Sequence, residues 1–143
     1  MGARRKAREL SLQMLYQYDM SGNAPDMILA TFEELQKSKP NTREFATKVF
    51  TGTVQHIREI DDMITNQAEN WRIERMSVVD RNIIRQSIYE FLHENDTPKL
   101  VIIDEAIEIA KKFGSQKSSQ FINGILDGIL KRYNLDREPT RQA

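Results

Sequence analysis

The sequence predicts an all-α fold, and three observations carry that prediction. Proline and glycine are scarce, at 4 and 6 residues in a chain of 143. Glu, Lys, Arg, Gln, Leu, Ile and Met are abundant, a composition that favours helix. Apolar residues recur nearly everywhere at a spacing of roughly 3.6, and no alternating segment competes as a strand. The pattern resolves into about seven helices.

A first helix is expected from about Arg4 to Met20, with Ala7, Leu10, Met14, Leu15 and Tyr18 on one face and Gly22 and Pro25 ending it. A short second one, from about Asp26 to Lys37, buries Ile28, Phe32 and Leu35 before "SKP". The third is expected to be the longest, from Asn41 to near Asn70, with Asn41 and Glu44 at capping-box spacing and a stripe of Phe45, Val49, Thr53, Ile57, Ile60 and Ile64. Such a helix would be roughly 40 Å long, enough for the spine of the domain. "WRIERMS" reads as a short turn or helix leading to Ser77, the expected cap of a helix over Val78 to Glu94. In "NDTP", Asp96 or Thr97 can cap the next helix with Pro98 in its first turn. Taken alone, "LVII" could be a buried strand; "DEAIEIAKKFG" continues a helical stripe through Ile107, Ala110 and Phe113 and decides for helix, ended by Gly114. The last helix, "SSQFINGILDGILKRY", starts with Ser118 or Ser119 as cap, and its Gly124 and Gly128 permit close helix contact. The whole, residues 1–143, reads as one domain with a polar tail over 135–143.

Function classes are excluded more readily than assigned. Without cysteine there is no disulfide, thiolate nucleophile or cysteine metal site, which fits a cytoplasmic protein. No apolar run approaches the roughly 20 residues of a membrane span, and no secretory signal is evident. Glu90 and His93 stand at the i, i+3 spacing of di-iron bundles, but such a site needs that motif twice. Neither a serine-nucleophile elbow nor a Gly-rich phosphate loop occurs. No enzyme activity, metal or cofactor is therefore expected.

With 21 cations against 21 anions, any case for nucleic acid must rest on a local patch. The opening "RRKAR" supplies one. Arg4, Arg5, Lys6 and Arg8 crowd a helix N-terminus, where the macrodipole disfavours positive charge. The same helix carries Gln13, Tyr16 and Tyr18, and cations beside an aromatic ring suit single-stranded RNA. Tyr18 falls on the core stripe, so Tyr16 is the better stacking candidate. On this reading, replacing Arg4, Arg5 and Arg8 with Gln leaves stability level or slightly higher while RNA affinity falls. A second patch lies at "SQKSSQF", where Lys117, Ser118 and a helix N-terminus could meet a phosphate and Phe121 is either core or a stacking platform.

"ARRKARELSLQMLYQYD", "ERMSVVDRNIIRQSIYEF", "DTPKLVIIDEAIEIAKKFG" and "SSQFINGILDGIL" together resemble, in order and spacing, the NusB family of bacterial transcription antitermination factors. That resemblance covers about residues 3 to 133 and is weakest over Ala24 to Lys39. It implies two small helical bundles packed around the long helix. It further implies a non-enzymatic factor that pairs with ribosomal protein NusE on boxA RNA and joins the RNA polymerase antitermination complex, promoting read-through, including on ribosomal RNA operons. By position, Arg4, Arg5, Lys6, Arg8, Gln13, Tyr16, Lys117, Ser118, Gln120 and Phe121 would face RNA. Glu74 and Asp80, with Tyr16 at the boundary, would face NusE. Alternatives are a helical protein-interaction adaptor or the NusB-like module of an RNA methyltransferase, and a homodimer burying the basic surface is compatible with the sequence.

Overall fold

Eight α-helices and one 3-10 turn make up most of residues 2–136, the part of the chain that the computed structural model describes; no strand occurs among them. Helices α1 (Gly2–Ser21), α2 (Pro25–Thr31), α3 (Glu33–Gln36) and α4 (Pro40–Gln55) form one group. Helices α5 (Ile57–Gln67), α6 (Val78–His93), α7 (Lys99–Phe113) and α8 (Ser118–Arg132) form the other, with the 3-10 turn Ile73–Arg75 between α5 and α6. Most of the polar tail, residues 137–143, lies outside the described residues.

The spine of the molecule is α6. It packs against α1, α4, α5, α7 and α8, and every residue from Asn82 to Phe91 is buried. A helix buried all round belongs at a centre, and most of its buried polar side chains make at least one hydrogen bond, though Gln86 Oε1 and Asp80 Oδ1 have no partner among the described residues. Gln86 donates to the backbone oxygen of Arg8 at 3.1 Å, and the Ser87 hydroxyl returns to the Ile83 carbonyl at 2.8 Å. Ser77 caps it as expected, accepting from the Asp80 amide at 3.0 Å.

The expected spine, one helix over residues 41–70, is instead two. The helical path breaks at His56 (φ −108°, ψ 19°). There the His56 ring nitrogen Nδ1 lies 2.9 Å from the Gly52 carbonyl, which also accepts the His56 amide. The imidazole is held by His93, 4.5 Å away between ring centroids. Gly52 meets the Tyr89 ring where a Cβ would stand, so α4 and α6 approach at a point that only glycine permits. The second expected helix is likewise divided, at Phe32, whose extended backbone (φ −82°, ψ 102°) separates α2 from α3.

Several ends differ from expectation for local reasons. Helix α4 begins at Pro40 with Lys39 as cap, and Asn41 accepts only from the adjacent Thr42 amide. Pro98 is itself the cap of α7, because Thr97 accepts from Arg4 instead, at 3.0 Å. Lys117, not a serine, caps α8. Of the two glycines in α8, Gly128 faces the Gln67 side chain of α5 while Gly124 is open. Helix α8 closes with Asn134 in the left-handed region (φ 57°) and the Leu135 amide bonded to the Leu130 carbonyl at 2.8 Å, a Schellman ending.

Candidate nucleic-acid and partner interface

The five residues of "RRKAR" do not share one environment. Arg8 is 2% exposed. Its guanidinium forms a fork on the buried Glu90 carboxylate, with both bonds at 2.8 Å. Burial opposes the Arg8 charge, yet Glu90 overrides it and the guanidinium is raised above its ordinary value. Burial likewise pushes the Glu90 carboxyl up, with Arg8 holding it down only in part. Arg5 forms a second fork on Glu105, at 3.0 and 2.7 Å, and these bonds hold the Glu105 carboxyl below its ordinary value. Arg4 lies 4.6 Å from the Phe45 ring centroid and 3.7 Å from Asp96. Lys6 is exposed and has no ion pair among the described residues. The run thus ties α1 to α4, α6 and α7, and it leaves Lys6 and the exposed sides of Arg4 and Arg5 to solvent.

Further along α1, Gln13 is half-buried and Tyr16 is 44% exposed. Both line a shallow apolar depression with Leu12, Val79 and Phe113. At the start of α8, Lys117 and Gln120 are exposed and Phe121 half-buried. Ser118 is buried, and its hydroxyl accepts from the Ser115 amide at 2.9 Å, closing the turn between α7 and α8. That oxygen is committed to the fold.

Asp80 and Glu74 are brought to different clefts. Asp80, 9% exposed, has a buried Oδ1 with no hydrogen-bond partner among the described residues, and it lines one cleft with Lys117 and Phe121. The residues expected to face a protein partner and those expected to face RNA therefore adjoin. Glu74 lines another cleft with Asp19, Asp61, Arg81 and Arg85. In it Asp19 receives Arg81 through bonds of 2.7 and 3.0 Å, Asn82 at 2.9 Å and Arg85 at 3.0 Å. Burial works to raise the Asp19 carboxyl, but the hydrogen bonds from Arg81 and Asn82 and the charge of Arg85 hold it below its ordinary value.

Trp71 and Arg75 also line the cleft of Asp80, and neither is among the site residues expected from sequence. The available signal was an indole in a polar connector, "NWRIER", with no helical stripe to absorb it.

The family model described as NusB family matches residues 5–131. The transcription antitermination protein NusB of Koribacter versatilis is 44% identical over 138 residues, covering 96% of this chain and 94% of that protein. Its counterpart in Geobacter sulfurreducens is 48% identical over 130 residues, covering 90% and 94%. Among solved structures, NusB of T. maritima superposes with a TM-score of 0.82 at 37% identity, over 95% of this chain and 93% of that one. A crystal structure of antitermination factors NusB and NusE in complex with dsRNA gives 0.83 at 28% identity, over 93% and 99%.

Proposed function

The chain belongs to the NusB family, and from that membership we propose that it is a non-enzymatic, cytoplasmic RNA-binding factor. It pairs with ribosomal protein NusE on single-stranded boxA RNA and, within the RNA polymerase antitermination complex, promotes read-through, including on ribosomal RNA operons. The single observation that carries this reading is the match of the family across residues 5–131, with a structural neighbour described as NusB and NusE in complex with dsRNA.

The RNA surface consists of Arg4, Arg5, Lys6, Gln13 and Tyr16 on α1 and Lys117, Gln120 and Phe121 at the start of α8. Arg8 and Ser118 serve it from within: one docks α1 on α6, the other shapes the turn that presents Lys117. Asp80, Glu74 and Tyr16 face NusE, where exposed or unpartnered carboxylates suit a basic chain. A gel shift with boxA RNA, with and without NusE, tests the proposal. Retarded RNA that is further stabilised by NusE is expected, and RNA that never shifts in either mixture refutes it.

A further inference from the structure

We infer that Trp71 is a nucleobase-stacking platform, the aromatic wall of a slot at the junction of the 3-10 turn with α6 and α8. The inference rests on the RNA-binding reading above and adds to it a residue and a mode of contact. Trp71 is 58% exposed, and no helical face accounts for it. Its indole meets Phe121 edge to face, at 5.8 Å between ring centroids and 71° between planes. Phe121 therefore fixes the orientation of the indole and leaves part of its surface to solvent. An aromatic ring held in place before binding costs little ordering when a flat ligand arrives.

The charges beside it select the ligand. Arg75 and Lys117 line the same cleft, both exposed and without an ion pair among the described residues, while Arg4, Arg5, Arg8, Arg81 and Arg85 are all committed to carboxylates. Two uncommitted cations stand there against one carboxylate, Asp80. The cleft, about 260 Å³, is smaller than the pockets of drug-sized ligands. A planar ring flanked by phosphates matches a stacking surface with cations around it. A nucleotide of single-stranded RNA, its base on Trp71 and its phosphates toward Arg75 and Lys117, meets each of these features. A base locked in a duplex cannot reach the indole.

Trp71 is the sole tryptophan of the chain, so its emission reports on this cleft alone. The full chain is titrated with single-stranded boxA RNA and with the same RNA annealed to its complement, and binding is followed in parallel by gel shift. Emission is expected to be quenched by the single strand in step with the shift, and not by the duplex. Because the indole is exposed, Trp71→Ala is expected to keep its far-ultraviolet dichroism while losing roughly tenfold or more in affinity, and Trp71→Phe to recover most of the loss, since stacking tolerates a change of ring. Unaltered emission at saturating single strand, equal quenching by the duplex, or full affinity in Trp71→Ala would overturn the inference. So would an emission change produced by NusE alone and not by RNA, which would make the cleft a protein-docking site. If wild type shifts RNA while Trp71 stays silent, the RNA-binding reading stands and only this inference falls; if no RNA shifts with NusE either present or absent, both fall.

Discussion

Arg8 behaves as a core residue that happens to be charged. The cost expected from its position at a helix N-terminus is outweighed by two bonds to Glu90 in a setting that excludes water. Breaking a buried pair from one side strands the other charge, at about 3–5 kcal/mol. Arg8→Gln is therefore expected to lower stability by that order in a urea titration, which reverses the level stability anticipated for the Arg4, Arg5 and Arg8 replacement. Arg8→Met combined with Glu90→Leu removes both charges and is expected to recover most of the loss; a double variant as unstable as the single one would show that the fork is not the source. Lys6 is the opposite case. Exposed and without an ion pair among the described residues, it makes no contact there that holds the fold, so Lys6→Gln should leave the melt unchanged. If it meets a phosphate, the slope of log K against log salt for single-stranded RNA should shrink by about 0.7. The sequence separates these two residues poorly, because Glu90 lies eighty-two positions from Arg8 and the pairing is a product of the helix packing.

Elements show where periodicity succeeds and where it stops. Helix identity follows from apolar spacing, and that part of the fold was legible throughout. The break at His56 was not, because Phe45, Val49, Thr53, Ile57, Ile60 and Ile64 continue one stripe across it. The break is set by tertiary contacts, the tilted packing of His56 against His93 and the approach of Tyr89 to Gly52. Gly52→Ala would drive a methyl group into the Tyr89 ring, and overpacking of this kind costs about 1–3 kcal/mol; an unchanged melting temperature would mean that α4 and α6 can part without penalty. The acidic network joining α1 to α5 and α6 has a pH signature. Asp19 in the fold lies below its ordinary value of 3.8, and Glu105, between α1 and α7, lies below 4.5. Because the folded values are the lower ones, the stability they contribute is complete above the ordinary values and is lost as pH falls through the depressed ones. Asp19→Asn should therefore make acid unfolding less steep below about pH 4, with little change in slope at neutral pH.

At the scale of the whole molecule, zero net charge and extensive internal pairing leave a thin supply of cations for RNA. The sequence made the two patches visible as strings, at "RRKAR" and "SQKSSQF". It could not show that Arg8 and Ser118 turn inward, nor that Asp80 shares a cleft with Lys117 and Phe121, since those facts depend on how α1, α6, α7 and α8 pack together. That shared cleft makes the surface proposed for NusE continuous with the one proposed for RNA, and continuity has an energetic consequence. On that proposal, a basic partner seated beside Asp80 sets positive charge against a carboxylate whose buried Oδ1 has no hydrogen-bond donor among the described residues, and it extends the cationic track proposed for RNA. RNA affinity of the chain alone should thus be weak, with a salt slope limited to the few phosphates those cations can reach, and NusE should raise it. Asp80→Asn keeps the size of the side chain and removes the charge, so it is expected to weaken NusE binding while leaving RNA binding by the isolated chain within about threefold, a difference under 1 kcal/mol. Calorimetry on each pair separately, and then on the ternary mixture, reads all three quantities. Loss of RNA binding with NusE affinity intact would show that the carboxylate serves the RNA side of the cleft, and equal RNA affinity with and without NusE would show that the two surfaces do not cooperate.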